Sequence, residues 1–154
     1  MTTRFTGSSR PLPLFQQLLG LQHLLPGSHG SVRSNRLIWR GDIRPTARST
    51  LYTVQIVLQF GKPLEITVLD PPLRRREGKP LPHVYSGDRL CVYMGDQWAP
   101  NKPLSTTVLP WIVDWLFFYE LWLATGEWLG GGHDPGVRPK RQEAPVASQA
   151  RKRQ

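Results

Sequence analysis

At 154 residues the chain has room for one packed core with ragged ends, and six tryptophans with 39% apolar content exclude a wholly disordered polymer despite fifteen prolines and fourteen glycines. A single cysteine excludes an internal disulfide, no Cys-x-x-Cys metal pair exists, and the opening MTTRFTGSSR has no apolar signal core, so a reducing cytoplasm is the expected setting. Of the formal charge of +9, a net +5 sits in residues 138–154, where six basic residues face one acid; a nucleic-acid-binding face would instead spread Lys and Arg over folded surface among stacking aromatics.

In chain order, Leu14, Phe15, Leu18, Leu19 and Leu25 recur at near-helical spacing between Pro13 and Pro26-Gly27, which predicts a short amphipathic helix. Pro26 to Asn35 is rich in Gly, Ser and His without an apolar period and reads as a loop. From Leu37 the period becomes two: Leu37, Trp39, Gly41 and Ile43 share a face until Pro45, which has no amide hydrogen to give. Over 51–60, Tyr52, Val54, Ile56, Leu58 and Phe60 oppose Thr53, Gln55 and Gln59, with Val57 alone breaking the polar side. After Gly61-Lys62-Pro63, Leu64, Ile66 and Val68 alternate with Glu65 and Thr67 as far as Asp70-Pro71-Pro72. Three strands on short links predict an antiparallel meander.

Residues 70–89 hold four prolines, two glycines and the run Arg74-Arg75-Arg76, and read as a long irregular crossing of the kind that often carries function. Leu90 to Met94 is a brief apolar stretch, closed by the Gly95-Asp96 turn. Ser105 or Thr106 can cap a helix whose first turn tolerates Pro110; it runs to about Ala124 and stops at Thr125-Gly126. Trp111, Ile112, Trp115, Leu116, Phe118, Tyr119 and Trp122 give that helix a broad apolar face, as in helices that are buried or meet a partner. Asp114 and Glu120 argue against a membrane span. The elements make an α+β domain over 11–136, with residues 1–10 and the basic tail 137–154 expected to be disordered.

Cys91 is the natural nucleophile, because a thiolate attacks carbonyls at neutral pH when it is exposed in an electropositive, partly ordered place. Arg89 and the Arg74–Arg76 run supply that charge in the sequence; an inert core cysteine beside Leu90 and Val92 is the competing reading. His23, His29 and the His133-Asp134 pair have no spacing that fixes a metal, so neither metal nor cofactor is expected.

The segment Leu81-Pro82-His83-Val84-Tyr85-Ser86-Gly87-Asp88-Arg89-Leu90-Cys91, followed by Trp98 and Pro100, resembles the active-site stretch of the ubiquitin-conjugating family. There a His-Pro-Asn turn, a Gly, an apolar residue and the catalytic Cys precede Trp-x-Pro, places filled here by His83, Gly87, Leu90, Cys91, Trp98 and Pro100. The likeness extends over residues 12–133 and is most specific to the bacterial members associated with type II CBASS antiphage signalling operons. They share the Trp39-Arg40-Gly41 pattern and a Trp-rich stretch ending Thr125-Gly126-Glu127-Trp128-Leu129-Gly130-Gly131-Gly132.

The resemblance implies a UBC-like fold in which Cys91 takes the C-terminus of a partner protein as a thioester, the partner being a CD-NTase (cGAS-like) cyclic-nucleotide synthase. Cys91 then passes this cargo to an amine or holds it. No ATP-binding glycine loop appears, so a separate activating enzyme would supply any adenylation. The same resemblance makes His83 an oxyanion donor or a brace of its loop, Trp98 and Tyr85 supports of the site, and Asp96 an acid that eases deprotonation of an incoming lysine. A solvated turn aspartate is the plainer reading of Asp96, and Asp114 has an equally modest claim. Val84 and Tyr85 stand where the family has Pro and Asn, and the His83 to Cys91 interval is two residues shorter than usual, so the oxyanion donor is left open. Other readings are a non-catalytic UBC-fold module that regulates the synthase, a homodimer through the aromatic helix, and nucleic-acid binding by the tail.

Overall fold

Pro13 ends an extended lead-in and α1 (Leu14–Leu24) follows, burying Leu14, Gln17, Leu18 and Leu21. That is the i, i+3, i+4, i+7 stripe of a helix lying on a core. In this computed structural model residues 10–132 and 134–136 are described; the basic tail and, apart from Arg10, the expected N-terminal segment lie outside the described residues.

Four strands form one antiparallel sheet in the order β1 (His29–Arg33), β2 (Arg36–Ile43), β3 (Tyr52–Gln59), β4 (Glu65–Asp70). The three expected strands are present, but β1 replaces the loop expected over 26–35. Ser34 and Asn35 join β1 to β2 with φ of 50° and 57°, the doubly left-handed geometry whose twist suits a two-residue hairpin. β1 is an edge strand exposed along most of its length, and a strand that buries neither face has no apolar alternation to read.

In β2 the expected face is buried through Leu37, Trp39 and Ile43. The Trp39 indole folds over Gly41, where any Cβ would run into the ring. Its Nε1–H donates to Ser28 Oγ at 2.9 Å, so the Trp-Arg-Gly pattern is a packing device: the glycine makes the room that the indole fills. In β3 Tyr52, Val54, Ile56 and Leu58 are buried as expected, and Val57 is buried on the opposite side. Phe60 lies beyond the strand and is 40% exposed.

The crossing after β4 contains a small hairpin, β5 (Val84–Tyr85) with β6 (Arg89–Leu90), and a 3-10 turn at Gly95–Gln97. The crossing is tied to α2 (Val108–Thr125): the Arg74 N–H donates to Tyr119 Oη at 2.7 Å and Arg76 Nη1 to the Leu123 carbonyl at 2.6 Å. Thr107, one residue past the expected caps, precedes α2, and its hydroxyl donates to the Pro103 carbonyl instead of capping. Pro110 sits in the first turn, where amide hydrogens have no intrahelical partner, and Gly126 ends the helix with φ of 82°. By length and composition α2 could cross a membrane. In the fold, Val108, Leu109, Ile112, Trp115, Leu116, Tyr119 and Trp122 belong to the same buried cluster as α1 and the sheet.

Two polar clamps close the core. Gln17, only 2% exposed, donates through Nε2 to the Lys102 carbonyl at 3.0 Å and accepts the Leu104 N–H at 2.8 Å, fixing the segment after Trp98 to α1. On the far side, the Glu120 carboxylate accepts from Ser49 Oγ, the Thr50 N–H and Tyr52 Oη.

All four tyrosines are displaced the same way. Burial and the bond to Glu120 push Tyr52 up, burial raises Tyr93 and Tyr119, and the contact with Cys91 pushes Tyr85 up to about 12. An unfolded chain would release these protons near pH ~10, so their contribution to stability is whole below that pH and is lost as pH rises toward the folded values. Tyrosinate absorbance at alkaline pH is therefore expected to appear late and together with loss of structure; an early, non-cooperative step for all four near pH ~10 would contradict this.

Candidate functional site

Short strands place the thiol. The Cys91 N–H donates to the His83 carbonyl at 2.9 Å, extending the β5–β6 pairing Val84↔Leu90 and Tyr85↔Arg89 by one step. Gly87 and Asp88 make the tip at φ of 79° and 56°, and the Arg75–Asp88 ion pair at 2.7 Å ties that tip back to the crossing. The carboxylate raises the Arg75 pKa in turn.

Cys91 is 8% exposed, recessed where an exposed thiol was expected. It is not sealed: with His83, Val92, Tyr93 and Met94 it lines a cavity of about 230 Å³ that α2 closes with Trp111, Asp114, Trp115 and Phe118. That volume is below the ~300–1,000 Å³ of small-molecule and cofactor sites, so the space suits one side chain or a length of peptide. Sγ lies 3.3 Å from Tyr85 Oη and 3.6 Å from the Tyr93 carbonyl oxygen. The thiol donates to either oxygen, and the phenol O–H donates back once sulfur is ionised. That bond pushes the Tyr85 pKa up to about 12.

Three of the four arginines expected around the thiol have partners of their own. Arg75 is paired with Asp88, Arg76 with the end of α2, and Arg89 lies 3.7 Å from Glu65 while its Nε donates to the Ser86 carbonyl. Arg89 approaches the site, with its guanidinium 6.0 Å over the Tyr85 ring, at the limit of a cation–π contact.

His83 is 7% exposed and has φ of 51°, a conformation His adopts more readily than most residues. Its carbonyl receives both the Cys91 N–H and Trp115 Nε1–H, the latter at 2.9 Å. Its ring stacks on Trp128 at 4.5 Å. Both lie on the cavity wall with Cys91, and the His83 carbonyl ties the loop to the Cys91 backbone and to α2.

Trp98 is buried beside Tyr93, with ring centroids 6.0 Å apart, and stands behind the site without lining the cavity. Asp96 is exposed on the 3-10 turn and does not line the cavity; the carboxylate that does is Asp114. The Trp128–Gly132 strap forms the remaining wall. Trp128 Nε1 donates to the Gly131 carbonyl at 3.1 Å, and Gly130 is pressed so closely on Phe118 that a Cβ would lie 2.7 Å from its ring. The Trp-rich run and the glycine triplet were the available signals for this wall, but only the return of the chain after α2 brings them to Cys91. Among the described residues no three His, Cys, Asp or Glu side chains converge as a metal site; His133 lies outside the described residues.

A helix, an antiparallel meander and a crossing that sets one thiol on a cavity beneath a second helix define an E2-like protein of the α+β, UBC-like class. The family model described as Type II CBASS E2 protein matches residues 17–135, and the chain belongs to that family. No match was found among curated proteins.

Proposed function

We propose that the protein is a cysteine-dependent acyl carrier and transferase of CBASS antiviral defence. Cys91 accepts the C-terminal carboxyl group of a partner protein as a thioester and passes it to an amine or holds it. The partner is a CD-NTase, the cyclic-nucleotide synthase of such a system, and the setting is the reducing cytoplasm. One observation carries this reading: the only cysteine in the chain lines a solvent-open cavity, and its sulfur lies 3.3 Å from the Tyr85 phenol. A thiol suits the task because its ester is activated toward amines while the thiolate attacks carbonyls at neutral pH.

The low exposure of Cys91 favours a second reading, a non-catalytic module that regulates the synthase by binding. One experiment separates the two. The protein is incubated with the CD-NTase, an activating enzyme and ATP, and is then digested for mass spectrometry. The proposal expects the synthase C-terminus on the peptide that contains Cys91, released by added thiol. A stable complex with no such adduct at any stage would leave binding as the function.

A further inference from the structure

We infer that Tyr85 is a catalytic residue, its phenol O–H donating to the oxyanion of the tetrahedral intermediates formed at Cys91. The inference rests on the thioester function proposed above and supplies the donor that the sequence lacks, since Val84 and Tyr85 stand where an Asn would.

Three donors around the cavity are already engaged. Trp115 Nε1 is held by the His83 carbonyl and Trp128 Nε1 by the Gly131 carbonyl, and the Cys91 N–H is used in the hairpin. Tyr85 Oη lies within hydrogen-bonding reach of the nucleophilic sulfur itself, at 3.3 Å. The ring is 43% exposed and stands beside the cavity, not in its wall, so an acyl group on Sγ meets the phenol on its solvent side. Its position is set by the Tyr85↔Arg89 register and by the guanidinium over the ring. A phenol with its ordinary pKa of ~10 keeps its proton at neutral pH, so Tyr85 meets the intermediate as a donor.

The step balances without a redox partner. In charging, the Cys91 thiolate attacks the carbonyl carbon of an activated acyl donor, a thioester or acyl phosphate. The C=O electrons move onto oxygen, and collapse expels the donor's leaving group. In transfer, an amine attacks the Cys91 thioester, the C–N bond forms, the C–S bond breaks, sulfur leaves as thiolate and the amine proton passes to water. In both intermediates the anionic oxygen is on the carbon bonded to Sγ, next to Tyr85 Oη. The phenol lends a hydrogen bond and keeps its proton.

The test uses a synthetic glycine-ended peptide thioester as acyl donor and L-lysine as acceptor, with charging and discharge followed by intact mass. Tyr85→Phe is expected to slow both steps about 100-fold, in line with the 10²–10³ lost when one oxyanion donor is removed, and still to reach the same Cys91 adduct at long times. Phe keeps the ring and the Arg89 contact, so a packing role alone would leave rates unchanged, and parent-like rates in Tyr85→Phe would overturn the inference. If the unmodified protein takes no label at Cys91 at all, the thioester function fails instead.

Discussion

Replacing Cys91 with alanine is expected to abolish every thioester adduct while the fold survives. The substitution removes one sulfur from a residue that lines a cavity, so the loss of packing is roughly that of a single methylene, ~0.8 kcal/mol. The bond that sets the loop, Cys91 N–H to the His83 carbonyl at 2.9 Å, is backbone to backbone and does not depend on the side chain. Tyr85, 43% exposed, can turn its freed hydroxyl to water. Cys91→Ser sharpens the test: it keeps a hydrogen-bonding group of similar shape, but a hydroxyl is a far weaker nucleophile than a thiolate at neutral pH, and an ester on it is not released by added thiol. Both variants should give a native-like circular dichroism spectrum and no thiol-labile adduct by mass spectrometry. An adduct of parent yield in Cys91→Ala would move the chemistry to another residue and refute the assignment.

The parts of the molecule that were legible in the sequence are those that bury one face. Alternation in Leu37–Ile43 and Tyr52–Leu58 gave the central strands because that face is core, and Thr125-Gly126 marked the end of α2 because the left-handed turn there is glycine's own conformation. β1 escaped because an edge strand exposed along most of its length has no period; the Ser34-Asn35 pair was its one local signal. At the site, Cys91 and His83 were readable as near neighbours, since the hairpin from 83 to 91 brings them together without help from the rest of the chain. The partners of Arg75, Arg89 and Arg76, which are Asp88, Glu65 and the Leu123 carbonyl, are set by tertiary contacts that no local pattern shows. The same holds for the cavity, whose far wall of Trp111, Asp114, Phe118 and Trp128 depends on how α2 crosses the loop. Local pattern placed the nucleophile, but the surroundings that would make it useful are a property of the whole fold.

Trp115→Ala is expected to cause the largest loss of stability of any change near the site. Trp115 is 3% exposed, stacks on Tyr119 at 5.5 Å and leans on Trp128 at 5.6 Å, so its removal opens a hole between the core and the strap. Truncations of this kind cost about 3–5 kcal/mol, against a total of roughly 5–15 kcal/mol for a domain. The denaturant midpoint should therefore fall by a large fraction with little change in slope. Trp115→Phe separates packing from the tie to the site. It keeps most of the ring but loses the 2.9 Å bond to the His83 carbonyl, which still accepts the Cys91 N–H. One partner out of two should cost only about 1 kcal/mol, yet the loop carrying His83 and Cys91 then loses its hydrogen bond to α2, so charging of Cys91 should slow more than stability predicts. A Trp115→Ala midpoint equal to the parent's would show that this indole is not the keystone between core and loop; a Trp115→Phe protein that charges at the parent rate would show that the loop holds its shape without α2.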